Sequence, residues 1–196
     1  MRNLTTFIGI LCLLAPSVAH AKRIDKMSTG ELIAELKNSD KSERRVEAAQ
    51  RLGETGAKEA TATLGSVCST KPPSEVCVAS VNALSDLGTP EAITKVQRVL
   101  ELESAPSQGR RQALTVLMKA DQNRLRESIP MLFAVYTNVS TELLSELMVS
   151  ARLLEMNELA DAAVFIASDG KLDLAARVSA LDTADHFGPP RLFEAH

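Results

Sequence analysis

Downstream of position 21, the residues best suited to nucleophilic, redox or metal chemistry are two cysteines and two histidines. Cys68 and Cys77 stand nine residues apart, which is not the Cys-x-x-Cys spacing of a redox pair. His186 and His196 lie near the C-terminus, far in sequence from both thiols, so no cluster has zinc-ligand spacing. Asp182 and His186 fall one turn apart on a helix, where an acid–base pair is conceivable. The competing reading is an exposed pair at a helix end, easing the dipole there. No serine stands in a Gly-x-Ser-x-Gly elbow, and neither a phosphate-cradling glycine loop nor a calcium loop occurs. Asn138-Val139-Ser140 fits a glycosylation acceptor, and reads equally as a loop whose serine caps the next helix. These residues imply a chain that is not an enzyme, with no catalytic set, cofactor or metal.

What the cysteines do depends on the compartment. Arg2 followed by the apolar run Phe7–Ala15 and by Ala19-His20-Ala21 has the form of an export signal cut after Ala21. The run is too short for a bilayer-spanning helix, which needs about 20 residues. The alternative is an uncleaved N-terminal anchor. Cys12 sits inside the apolar run without a lipobox before it, so a lipoprotein is rejected. Export implies a periplasmic or secreted protein with no membrane span after cleavage. There an even cysteine pair points to a Cys68–Cys77 disulfide, with two buried thiols or a redox pair as the other readings. The bridge would staple the proline-bearing link Ser69–Val76 and contribute about 2–3 kcal/mol by the loop-entropy estimate.

The chain carries a net charge of −3, and loss of Arg2 makes it −4. Nucleic-acid binders carry a basic face, so that class is excluded. Charge is uneven: residues 22–133 sum to +2 and 134–196 to −6. This reads as solvated helix faces, or else as a polarised binding surface. With 45% hydrophobic residues and one domain's length, the chain can bury a continuous core.

That core is built from a repeat. Glu43–Val67 recurs 32 residues later at Glu75–Val99, matching Val46 with Val78, Leu52 with Leu84, Gly56 with Gly88 and Ala60 with Ala92. Apolar residues at helical spacing make each half an amphipathic helix, and Gly53-Glu54-Thr55-Gly56 turns the chain between them. Such a pair needs a neighbouring pair to cover its second apolar face. Before the repeats, Lys22–Met27 is a lead-in, and Ser28-Thr29-Gly30-Glu31 is a capping box opening a helix through Lys37. After them, Gln108–Lys119 and about Arg124–Tyr136 make a third pair. Pro130 disfavours the middle of a helix, so that return helix is expected to begin near Ser128. Thr141–Leu154 and Glu158–Ser168 make a fourth pair. A last helix, about Leu172–Phe187, is expected to bury Ala175, Val178 and Leu181. No segment alternates like a strand.

Leu-Gly-x-x-Gly with a following Glu59-Ala60, and the closer copy Leu87-Gly88-Thr89-Pro90-Glu91-Ala92, resemble the HEAT-like repeats of bacterial helical solenoids. The resemblance covers residues 43–100. It implies an all-α, right-handed α-α superhelix of about four to five helix pairs. The corresponding domain plan is a signal over 1–21, a capping segment over 22–40, repeats over 41–190 and a tail over 191–196. It also implies that a protein or peptide partner lies on the concave side, along Ala57–Cys68, Pro90–Glu103, Ser128–Tyr136 and Glu158–Ser168. Polar positions there, Lys58, Lys95, Arg98 and Glu101, become candidate contacts. Tyr136, one turn from Phe133, is the candidate aromatic anchor. Repeats of this kind also resemble those of bilin lyases, so an enzyme of that type is the alternative, and a self-assembling envelope protein is a third reading. The expected outcome for the cysteines is no titratable thiol in exported protein purified without reductant. Two reactive thiols under denaturing conditions would show the pair open.

Overall fold

The computed structural model describes residues 23–188. The expected signal 1–21, Cys12, the tail 191–196, Phe193 and His196 lie outside the described residues. Ten α-helices follow one another: α1 (Thr29–Asn38), α2 (Ser42–Glu54), α3 (Thr61–Val67), α4 (Ser74–Leu87), α5 (Pro90–Glu101), α6 (Ser107–Ala120), α7 (Gln122–Ala134), α8 (Thr141–Leu153), α9 (Ala160–Ser168) and α10 (Leu174–Phe187). No strand occurs among the described residues. The even helices stack in chain order, and α1, α3, α5, α7 and α9 form a second layer over them. One apolar core runs from Ile24 to Ala184, with Leu52, Leu84, Leu117 and Leu147 fully buried. This is an all-α solenoid.

The starts of the helices follow side-chain chemistry. Ser28 and Glu31 form the reciprocal capping box, with the Ser28 N–H donating to the Glu31 carboxylate at 2.7 Å. Thr89 caps α5 ahead of Pro90, and Ser140 and Asp173 cap α8 and α10. The ends are equally specific. α4 stops at Gly88, whose φ of +58° is costly for any residue with a Cβ.

For α1, α3, α5 and α9 the closest pairing across the layers is with the even helix that follows, whereas α7 lies closer to α6 than to α8, so α1 is a full member of the stack. One contact recurs at these junctions. Arg45, fourth residue of α2, donates Nε–H to the Leu36 carbonyl near the end of α1 at 2.9 Å. Arg110, fourth in α6, does the same to Leu100 of α5 at 2.9 Å, and Arg177, fourth in α10, to Ala167 of α9 at 3.1 Å. The last carbonyls of a helix have no partner within it and carry its negative dipole end, so a guanidinium satisfies both needs. Fourth in α4 stands Cys77, at disulfide distance from Cys68 just past α3, with Cα atoms 5.0 Å apart. Gly109 of α6 packs directly over that sulfur: a Cβ there would lie 2.2 Å from Cys77 Sγ. Fourth in α8 is Leu144, fully buried and with no cation. The register positions 45, 77, 110, 144 and 177 are 32, 33, 34 and 33 residues apart, so the repeat persists through the whole stack.

Two expectations are corrected. α7 begins at Gln122 and carries Pro130 in its interior, rather than starting near Ser128. A proline there costs about 3 kcal/mol. Asp121 caps the earlier start by accepting the Arg124 N–H, and burial of Leu125, Ile129, Leu132 and Phe133 offsets the loss. The second correction concerns α10. Its inward face is Ala176, Ala180, Thr183 and Ala184, while Ala175, Val178 and Leu181 face solvent. α10 lies close against both α8 and α9, and that approach selects the small side chains.

Arg110 is the most enclosed of the three arginines. Burial pulls its pKa down, opposed by the charge of Glu103. Arg110→Ala strands the Leu100 carbonyl and leaves a void, so a loss of about 1–3 kcal/mol is expected. Urea unfolding followed by helical circular dichroism reads that loss, and an unchanged midpoint would show the contact to be dispensable.

Candidate functional site

From α3 to α7 the odd-helix layer is closed by side chains that bridge successive helices. The Lys95 stem of α5 crosses α3 at Gly65, where its Cγ and Cδ stand 2.8 Å from the place of a Cβ. Between α5 and α7, Ser128 Oγ donates to Glu101 at 2.6 Å, Arg124 donates to Gln97 Oε1 at 3.0 Å, and Gln97 Nε2 reaches Ser128 at 3.3 Å. Arg124 also pairs with Asp121 at 3.1 Å. Of the residues that the sequence nominates for contact, Lys95 and Glu101 are therefore half-buried and engaged within the stack. Lys58, in the turn before α3, and Arg98, on α5, are exposed.

Beyond α7 the ladder stops. Met131 and Val135 stand 34 residues after Gln97 and Glu101, the positions that α5 uses to reach the next odd helix. α7 and α9 barely touch, and both side chains face solvent. Across the opening, Phe165 of α9 is 66% exposed, an unusual state for a large aromatic ring. Tyr136 spans the gap. Its ring meets Phe165 edge-on with centroids 6.2 Å apart, and its hydroxyl donates to Asp169 at 2.7 Å. Tyr136 is thus half-buried, and the more exposed aromatic beside it is Phe165. Sequence reasoning passed over Met131, Val135, Phe165 and Asp169. The signal that finds them is the arginine register, which places α7 against α5 residue by residue.

The remaining chemical groups are dispersed. Asp182 and His186 both face solvent, and His186 meets Phe187 edge-on at 5.6 Å. A shallow groove of about 460 Å³ between α4 and α6 is lined by Asn82, Ser85, Asp86, Gln112, Thr115 and Lys119, with Gln112 donating to Asn82 at 2.6 Å. Among the described residues no three potential metal ligands cluster, and no helix is long and apolar enough to cross a membrane.

The hydrogen bond to Asp169, reinforced by desolvation, holds the Tyr136 phenol above its ordinary pKa. The same bond, with the Lys171 amide, holds the Asp169 carboxyl below its own. A carboxyl lowered by folding stabilises fully above the ordinary carboxylate range, and its contribution is lost as pH falls through the lowered value. Tyr136 is the chain's single tyrosine and there is no tryptophan, so absorbance reports this contact alone. Asp169→Ala is expected to bring the phenol titration down towards about 10. Identical alkaline titrations for the two proteins would show the bond absent in solution.

No curated protein matches the chain. The model of the family described as HEAT repeats matches residues 29–119, from the first turn of α1 to the end of α6. The matched stretch contains the Arg45 and Arg110 contacts and the cysteine pair, and the helices beyond it continue the same register. Over residues 29–119 the chain is similar to HEAT repeats.

Proposed function

We propose that this protein is an exported, non-enzymatic scaffold that binds another protein or peptide along its odd-helix face, anchored at the opening between α7 and α9. HEAT repeats serve protein–protein interaction, and the coarse role rests on that family. One observation carries the finer reading: at one step of the stack the polar ladder gives way to Met131, Val135 and Phe165, which among the described residues have no helix packed over them. Apolar and aromatic side chains in a recess with satisfied polar groups at the rim are what an interface hot spot needs. Tyr136 and Asp169 supply that rim, and the exposed Arg98 and Lys58 extend the surface towards the N-terminal helices. The partner that suits the recess is an amphipathic segment laying an apolar stripe between the two helices. Export rests on the pattern of residues 1–21 and is supported by the pairing of Cys68 with Cys77.

The test is site-specific photocrosslinking in the native envelope. A photoreactive side chain at Met131 or Phe165 is expected to capture one defined protein, whereas one at Thr115 on α6 captures none. Phe165→Asp is expected to weaken binding of the captured protein by about tenfold or more, or about 1.4 kcal/mol. Equal capture from both faces, or full binding by that variant, would refute this surface.

A further inference from the structure

One junction holds the stack together less firmly than the rest. α2 packs broadly on α4, α4 on α6 and α8 on α10, whereas α8 meets α6 and α7 over short stretches only. α9 lies against α10 and barely touches α7. On either side of this junction the helix ends are tied by the Arg45, Arg110 and Arg177 contacts and by the cysteine pair. At the junction itself Leu144 stands in the place of the arginine and offers no polar tie. The links that do span it lie at its edges. Ser107 of α6 bonds Ser140 at 2.6 Å, Arg111 Nε donates to Glu146 of α8 at 2.8 Å, and Arg126 of α7 donates to the Leu154 carbonyl at the end of α8. Tyr136 adds its bond to Asp169 and its edge-on contact with Phe165. The Arg111 and Glu146 side chains are 41% and 35% exposed, so their attraction is open to screening by salt. Charge changes sign at the same place, with +2 over residues 22–133 and −6 over 134–196.

We infer that the stack is hinged at this junction: α1–α7 and α8–α10 turn as two blocks about Tyr136–Asn138, and two latches hold the angle between them. One latch is the Arg111–Glu146 pair in the even-helix layer. The other is in the odd-helix layer, where Tyr136 meets Asp169 and Phe165. The turn Tyr136–Asn138 suits a pivot, because none of its residues is fully buried and hinges are residues at element ends that absorb backbone rotation. Each block keeps its own shape. The first contains the broad α2–α4 and α4–α6 packing and the cysteine pair, and the second contains Met148 buried on α8, with α10 packed on both α8 and α9. Met131 and Val135 ride on the first block and Phe165 on the second, so the hinge angle sets the width of the α7–α9 opening. A molecule seated there would select one angle from those available. The motion itself rests on the contacts between helices and needs no partner, so it goes beyond the binding proposed above.

Gln50, Thr115 and Asp182 each stand five residues after the junction arginine of α2, α6 and α10, and all are exposed, so they offer two matched spans. Spin labels are placed on the full chain carrying Cys12→Ser through the pairs Gln50→Cys with Thr115→Cys, inside the first block, and Thr115→Cys with Asp182→Cys, across the hinge. Double electron–electron resonance is expected to give a narrow distance distribution for the first pair under all conditions. The distribution across the hinge is expected to broaden about twofold or more when Arg111→Ala and Asp169→Ala are combined. It is expected to broaden also as salt rises from about 0.01 M to about 1 M, where the screening length falls from about 30 Å to about 3 Å. A distribution across the hinge that the double substitution leaves unchanged overturns the inference. Equal broadening of both pairs overturns it as well, since the whole stack would then be pliant. No partner is present in these measurements, so their outcome is independent of capture at Met131 or Phe165.

Discussion

Every turn of this stack must solve the same electrostatic problem: an odd helix ends against the next even helix with unpaired carbonyls pointing into a closing apolar junction. A buried carbonyl without a donor costs about 1–3 kcal/mol, so the junction cannot simply be greased shut. Arg45, Arg110 and Arg177 meet the requirement with a planar cation whose Nε–H reaches the carbonyl while its stem packs among aliphatic neighbours. The position also fixes the geometry. A donor on the fourth residue of one helix and an acceptor nine or ten residues earlier leave little freedom in the connecting turn. At α3–α4 the cysteine pair spans the same interval of nine residues, and a covalent tie takes the place of the ionic one.

Much of this was legible in the residues themselves, and the parts that were not share a cause. The period over residues 43–100 stood out because Leu-Gly and Glu-Ala recur with it. Beyond residue 100 those markers vanish, yet the spacing between junction residues still holds to within two positions. Arg110 and Arg177 could not be distinguished from surface arginines by type alone, since solvated helix faces carry the same residues. The inward face of α10 failed for a different reason. Both sides of that helix are apolar, and the reading that placed Ala175, Val178 and Leu181 inward followed the larger side chains Val178 and Leu181, whereas close approach of α8 and α9 selects Ala176, Ala180 and Ala184. Size, set by neighbours distant in sequence, outweighed apolarity. The start of α7 failed because the local penalty of Pro130 was weighed without the cap at Asp121.

The candidate site was legible only in part. Tyr136 was marked by its type, but its bond to Asp169 joins residues 33 apart, with α8 and α9 between them. Lys95 and Glu101 look like any exposed charged residues of an amphipathic helix. Only the packing shows that one lies over Gly65 and the other accepts from Ser128.

The opening between α7 and α9 follows from the one junction that departs from the rule. At α7 the chain continues past Ala134 into a tight turn over Tyr136–Asn138: Val135 N–H bonds Leu132 in the last turn of the helix, and around the turn Asn138 N–H bonds Val135 and Val139 N–H bonds Tyr136. With those acceptors already satisfied, the fourth residue of α8 need not be a cation, and Leu144 fills the site with apolar volume worth about 1.5–3 kcal/mol. A leucine fills the junction without fixing its orientation. The same turn lengthens the path to α8, and α7 packs less closely on α8 than α5 does on α6. α9 is then carried away from α7, and Met131 and Val135, which in the preceding repeat would have been a glutamine and a glutamate bonded across the gap, line an apolar recess instead. A local change in how one helix end meets its hydrogen-bonding requirement thus produces the feature of the surface best suited to hold a partner.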